Sequence, residues 1–233
     1  VRLLLLERSV LFVSSQLSLL TTVMEALKDL LRPFVWSYTY CPVLTRAMMN
    51  FINSPMPYMM GAHSSCVSRK ALERLKGVTV VDVDEDHVAL PRDLQDYYAF
   101  APDVLGFPAA SPIPKERRDG VLPPLPFVPD VDLYSELRRL VHPALSFADS
   151  ASFVDSRFDA ESVKELFRSY LGVMILPPYT ATTILKEKDE QIWILDKTVY
   201  LRQYSHVNSR LFMQQFIETS MFSAYYVNFY NWS

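Results

Sequence analysis

Between Ser9 and Val83 the chain alternates short apolar runs with stretches whose apolar residues recur every three or four positions. Ser9-Val10-Leu11-Phe12-Val13 carries the β-branched and aromatic members that suit a buried strand. After Ser14 and Ser15, the residues Leu20, Val23, Met24, Leu27, Leu30 and Leu31 share one face of a helix, which Ser15 or Ser18 is placed to cap. Pro33 ends that helix, because proline lacks the N–H a helix interior needs. A second strand is predicted at Ser37-Tyr38-Thr39-Tyr40-Cys41, rich in residues that fit a pleated surface. Arg46 to Ile52 reads as a short helix broken by Pro55 and Pro57, and Tyr58-Met59-Met60 as a third strand ending at Gly61. Ser68 to Lys76 predicts a helix with Ala71, Leu72 and Leu75 inward and Gly77 as its C-terminal cap. Val78 to Val83 is the clearest strand in the sequence. Strands separated by helices imply right-handed crossovers, hence an α/β fold with a mostly parallel sheet flanked by helices.

The pattern then changes. Eight of the sixteen prolines fall between Pro102 and Pro129, around the charged stretch Lys115-Glu116-Arg117-Arg118-Asp119-Gly120. Proline fixes φ and removes donors, so residues 102–129 read as an extended connection between an α/β lobe, 1–101, and a second region, 130–233. That second region is expected to be all-helical. Leu133, Leu137, Leu140 and Val141 mark one helix ended by Pro143. Phe158, Val163, Leu166, Phe167, Tyr170 and Leu171 mark another, with Asp159 near its start and Gly172 near its end. Leu211, Phe212, Phe216, Met221 and Phe222 mark a last long helix, continued by an aromatic run from Ala224 to Tyr230 that suits a core.

Composition narrows the classes. With 50% hydrophobic and 21% charged residues over 233 positions, the chain has neither the low hydrophobicity nor the high net charge of a disordered one. A net charge of −3 gives no general attraction to nucleic acid or an anionic membrane. Cys41 and Cys66 have no metal-ligand spacing and suit buried thiols of a reducing compartment. Val1 to Leu6 resembles a signal-peptide core, but Glu7 and Arg8 interrupt it. No apolar run approaches the ~20 residues a membrane span needs. The chain reads as soluble and cytosolic, and, lacking an initiator Met, as a fragment or processed piece.

Bond-making chemistry finds little foothold. The glycines at 61, 77, 106, 120 and 172 are too scattered for a phosphate-cradling loop. His63, His87, His142 and His206 form no ligand pair, and no serine sits in a nucleophile elbow. Neither a metal nor a cofactor is expected. Asp82-Val83-Asp84, at the end of a hydrophobic strand, is the exception: two carboxylates there could hold Mg²⁺, as in phosphatases that form an aspartyl-phosphate. The alternative is a solvated acidic turn that closes the strand.

Several motifs in order resemble the DENN-domain family. Val10-Leu11-Phe12-Val13-Ser14-Ser15 followed by Leu17-Ser18-Leu19-Leu20-Thr21 resembles the opening strand and helix of the central DENN region. Arg32-Pro33-Phe34-Val35-Trp36 is similar to the family's Tyr-Pro-aromatic-x-Trp turn, and Tyr40-Cys41-Pro42-Val43-Leu44 to its Tyr-Ile-Pro-x-Leu strand. Ser54 to Ser65 resembles its Pro-x-Pro-aromatic-x-x-Gly-x-His segment, and Asp82-Val83-Asp84 its Val-Asp-Leu-Asp strand end. Glu218-Thr219-Ser220-Met221-Phe222 is similar to the Thr-x-x-Phe helix of the downstream DENN region. The sequence departs from the pattern at Thr45-Arg46, where the family usually has proline after leucine, and the family's upstream longin-like lobe is expected to be absent from this chain.

The resemblance implies a central DENN lobe at 1–101 and a downstream DENN region at 130–233. It implies a guanine-nucleotide exchange factor for a Rab-type small GTPase in membrane trafficking, working without covalent chemistry. A Rab-binding scaffold without exchange activity is the alternative. It further implies a cytoplasmic protein recruited peripherally to vesicle or endosome membranes through partners. Open α/β sheets place function at the C-terminal ends of their strands. On that rule the candidate partner-binding residues are Ser14, Ser15, Tyr38, Tyr40, His63, Ser64, Asp82 and Asp84.

Overall fold

The computed structural model describes residues 1–91, 94–96, 121–122, 125–126, 132–145, 159–175, 182–187 and 190–231. Most of the proline-rich stretch 102–129 lies outside the described residues. The elements run α1 (Arg2–Leu5), β1 (Ser9–Ser14), α2 (Leu17–Leu30), β2 (Thr39–Leu44), β3 (Tyr58–His63), α3 (Arg69–Leu72), β4 (Val78–Asp82) and β5 (His87–Ala89). A two-residue pair follows, β6 (Gln95–Asp96) with β7 (Val121–Leu122). Beyond it lie α4 (Leu133–Leu145), α5 (Ala160–Met174), β8 (Thr182–Glu187), β9 (Glu190–Leu195), α6 (Lys197–Arg202), α7 (Val207–Phe216) and α8 (Ser220–Asn231).

The front elements build a five-stranded sheet in the order β2-β3-β1-β4-β5, parallel except for β5. Its two faces carry separate cores. Val10, Phe12 and Met59 face one way, onto Leu20 and Met24 of α2 and the C-terminal aromatics Tyr200, Phe212, Phe216 and Phe222. Leu11, Val13, Met60 and Ala62 face the other, onto Leu44, Ile52 and Tyr58, covered by the 3₁₀ helix Arg46–Asn53 and by Leu72 and Leu75. Alternation along each strand produces this division, since successive side chains point to opposite faces.

Several boundaries differ from expectation. The second strand starts at Thr39 and runs to Leu44, so Tyr38 precedes it and Tyr40 lies near its beginning. β3 continues through Gly61 to His63, because Gly61 meets the Pro42 carbonyl where the β2–β3 register shifts, and only a residue without a side chain fits. α2 uses neither Ser15 nor Ser18 as a cap; Gln16 holds the capping position without a side-chain hydrogen bond. The helix expected from Ser68 to Lys76 shrinks to four residues and passes into three-residue turns before Gly77, whose φ of +68° reverses the chain.

Among the described residues the C-terminal region is helical with one addition to the expectation, the antiparallel β8–β9 hairpin. α4 continues two residues past Pro143, because a proline in the last turn removes only one helical hydrogen bond. The single long helix expected over Leu211 to Phe222 is two, α7 and α8, separated at Ile217-Glu218-Thr219. There the Thr219 hydroxyl donates to the Phe216 carbonyl (2.6 Å) and accepts from the Phe222 amide (3.1 Å), so side-chain bonds stand in for the helical ladder. Asp159 caps α5 through the amides of Glu161 and Ser162, and Asp196 caps α6 through those of Thr198 and Val199.

Candidate functional site

The C-terminal ends of β1, β3 and β4 meet at one rim. Ser14 is opposite His63, and Val13 is opposite Asp82. At this rim an apolar strand must give way to solvent, and the residues that do so bond to one another. Ser14, fully buried, donates its hydroxyl to Asp84 Oδ1 (2.5 Å) and accepts from the Gln16 amide (3.0 Å). The Ser15 amide donates to the other Asp84 oxygen (2.6 Å). One carboxylate therefore brackets the β1–α2 turn and ties it to the turn that follows β4. The Ser14 hydroxyl, then the Ser15 amide and hydroxyl, hold the Asp84 carboxyl below its ordinary value of 3.8, with the nearby His63 imidazole adding a smaller pull.

Asp82 shapes the same turn from within. Its Oδ1 accepts from the amides of Asp84 and Glu85, both at 3.1 Å, and Asp86 completes the reversal into β5 with a φ of +48°. His63 Nδ1 accepts from the Ser65 amide (3.1 Å) and lies 2.8 Å from the Ser65 hydroxyl. That amide can only donate, so Nδ1 is the accepting ring nitrogen in this contact. Ser64 opens the exposed 3₁₀ turn Ser64–Cys66 beside it.

Six of the eight candidates, Ser14, Ser15, His63, Ser64, Asp82 and Asp84, thus converge on one rim. Tyr38 and Tyr40 do not join them. They lie at the N-terminal end of β2, whose Thr39 pairs with Tyr58 at the start of β3, about 16 Å along the strands from the rim. Tyr38 packs edge-on against Trp36, with centroids 5.9 Å apart. Tyr40 donates to Glu25 Oε1 (2.5 Å) and lies under Lys28 Nζ, 4.1 Å from its ring centroid. Tyr40 fastens β2 to α2, and Tyr38 packs on Trp36 just before the strand. Their assignment to the rim came from ending the second strand at Cys41, three residues early.

One rim residue escaped notice in the sequence. Leu17, the first residue of α2, is 46% exposed, while Leu20 and Met24, three and seven positions on, are fully buried. These spacings share one helical face. The stripe that anchors α2 on the sheet therefore runs out over the rim, and counting it from Leu20 missed its exposed end.

Chemically the rim offers a fixed surface: an apolar residue at Leu17, hydroxyls at Ser15 and Ser64, an imidazole nitrogen, and an acidic turn. Both candidate carboxylates already accept from the protein's own donors, which matches the strand-closing turn. Among the described residues no group of three or more His, Cys, Asp or Glu could hold a metal ion. No described helix is long and apolar enough to cross a membrane.

Residues 1–86 match the DENN (AEX-3) domain. A 102-residue stretch is 40% identical to DENN domain-containing protein 2A of Homo sapiens, covering 40% of this chain and 10% of that protein. An 85-residue stretch is 36% identical to DENN domain-containing protein 1B of Mus musculus, covering 36% of the chain and 11% of that protein. The similarity to DENN domain-containing protein 2C of Homo sapiens is lower, 27%, but extends over 95% of the chain and 20% of that protein. The chain therefore spans from about a tenth to a fifth of the length of these curated relatives.

Proposed function

Since residues 1–86 belong to the DENN (AEX-3) domain family, we propose that this chain binds a Rab-type small GTPase at the C-terminal rim of its sheet and promotes release of GDP. The observation that carries the reading is the Asp84 bracket, which fixes the β1–α2 turn beside β3 and presents Leu17 above it. An apolar anchor ringed by polar groups is the anatomy of a protein-binding surface. In this reading Ser15, Leu17, His63, Ser64 and the acidic turn touch the partner, and buried Ser14 supports them. Residues 1–101 act as the central DENN lobe and 130–233 as the downstream region. The similarity to DENN domain-containing protein 2C runs along 95% of the chain and so takes in both regions.

Exchange requires only differential affinity. A surface that holds the GTPase's switch segments in an arrangement with poor phosphate and Mg²⁺ contacts favours the nucleotide-free state, and GDP leaves without a general acid or base. The test is release of fluorescent GDP from a panel of Rab GTPases in the presence of the chain. Acceleration for at least one Rab is expected, reduced by Leu17→Asp. Binding to a loaded Rab with unchanged release would leave the scaffold reading, and neither binding nor acceleration across the panel would end both.

A further inference from the structure

We propose that the corner between α1 and β1 is a latch: Glu7 and Arg8 hold α7 and α8 on the sheet, and when Glu7 lets go the two helices open together while the sheet stays closed. Glu7 sits at a φ of +51°, a left-handed conformation that a residue with a side chain rarely keeps unless its surroundings fix it. Its carboxylate reaches the start of α8. Oε2 accepts from the Ser220 amide (3.0 Å), and Oε1 from the Ser220 hydroxyl (2.6 Å) and the Met221 amide (2.8 Å). Two of these donors are first-turn amides, which have no partner inside their own helix. A negative charge there also opposes the positive end of the helix dipole. Thr219 caps the Phe222 amide locally, and the Ser220 and Met221 amides are capped from more than 200 positions away.

Arg8 grips the neighbouring helix, donating to Gln215 Oε1 of α7 (3.3 Å), while its Nε is buried without a partner. That orphan makes the grip an imperfect one, since a buried donor left unbonded opposes closure. The unit being gripped is internally tied. Ile217, Glu218 and Thr219 bond back to α7 carbonyls, Thr219 bridges Phe216 to Phe222, and the Phe216 and Phe222 rings lie 5.7 Å apart. α7 and α8 therefore move as one piece. The sheet keeps a second core on its other face, Leu11, Val13, Leu44, Ile52, Tyr58, Met60, Ala62 and Val78, in which no residue of α7 or α8 takes part. Losing the helical layer uncovers one face and leaves that core intact, the condition for a cooperative unit that opens below global unfolding.

Native-state hydrogen exchange on the full chain tests this. Glu7→Ala is expected to speed exchange of the α7 and α8 amides together, roughly tenfold or more, with β1, β3 and β4 unchanged. Glu7→Gln, which keeps one acceptor oxygen, is expected to fall between. Loss confined to the Ser220 and Met221 amides would reduce Glu7 to a simple cap, and equal loss in the strands would show no separate unit; either overturns the proposal. The wild-type chain carries the same test should Glu7→Ala fail to fold. In rising sub-denaturing urea its α7 and α8 amides are expected to merge onto one opening isotherm below that of the strands, and a single isotherm for all of them overturns the latch.

Discussion

A Cβ at position 61 would lie 2.0 Å from the Pro42 carbonyl oxygen and 2.9 Å from its carbon, both backbone atoms that no rotamer change can move. Gly61→Ala is therefore expected to push β2 off β3 and destabilise the fold by about 3 kcal/mol or more, read as a lower urea midpoint. Asp84 acts at the same scale through its charge. Its carboxyl is held below 3.8 in the folded chain, chiefly by the Ser14 hydroxyl. The ionised form is thus favoured more in the folded state than in the unfolded one. Its contribution is present in full above the ordinary aspartate value and is lost as pH falls through the lowered one. Asp84→Asn is expected to flatten the acid limb of a stability–pH profile in that window; an unchanged limb would mean that the bracket carries no net stability.

Elements differ in how readily their sequences disclosed them. β1, α2, β3 and β4 were readable because each is a run of one periodicity bounded by serine, proline, glycine or aspartate. The rim residues of β1, β3 and β4 came with them, since strand ends in a parallel sheet share an edge. Ends set by tertiary contacts were not readable. β3 passes through Gly61 because of Pro42, and α7 stops because the Thr219 hydroxyl competes for backbone partners. The β8–β9 hairpin, with its β-branched Thr182-Thr183-Ile184 and its β-branched and aromatic Ile192-Trp193-Ile194, lies in a region whose other segments follow helical spacing, which hides it. Tyr58 shows what an element end requires. Fully buried at the start of β3, it donates to the Ile52 carbonyl at 2.7 Å and closes the 3₁₀ helix onto the sheet. Tyr58→Phe leaves that carbonyl without its donor, and an expected loss of about 1–2 kcal/mol is measurable by urea denaturation.

At the scale of the molecule, the sheet works as a partition. Phe216 packs on one side, with ring centroids 5.2 Å from Phe34 and 5.7 Å from both Phe212 and Phe222. Ile52 packs on the other, in a core that shares no buried residue with the first. Both cores reach up to the rim, one through Val83 and the other through Val13 and Ala62, so a partner seated there would meet a surface whose stiffness both faces supply. If the partition holds, a void opened on one face is not felt on the other. Ile52→Val is expected to destabilise by about 1 kcal/mol and Phe216→Leu by about 1–2 kcal/mol, small enough for both variants to fold. Sites without common partners add to within about 0.5 kcal/mol, so the double variant should lose the sum of the two. A coupling above about 1 kcal/mol in that cycle would mean that strain crosses the strands, and the two faces would then have to be treated as one core.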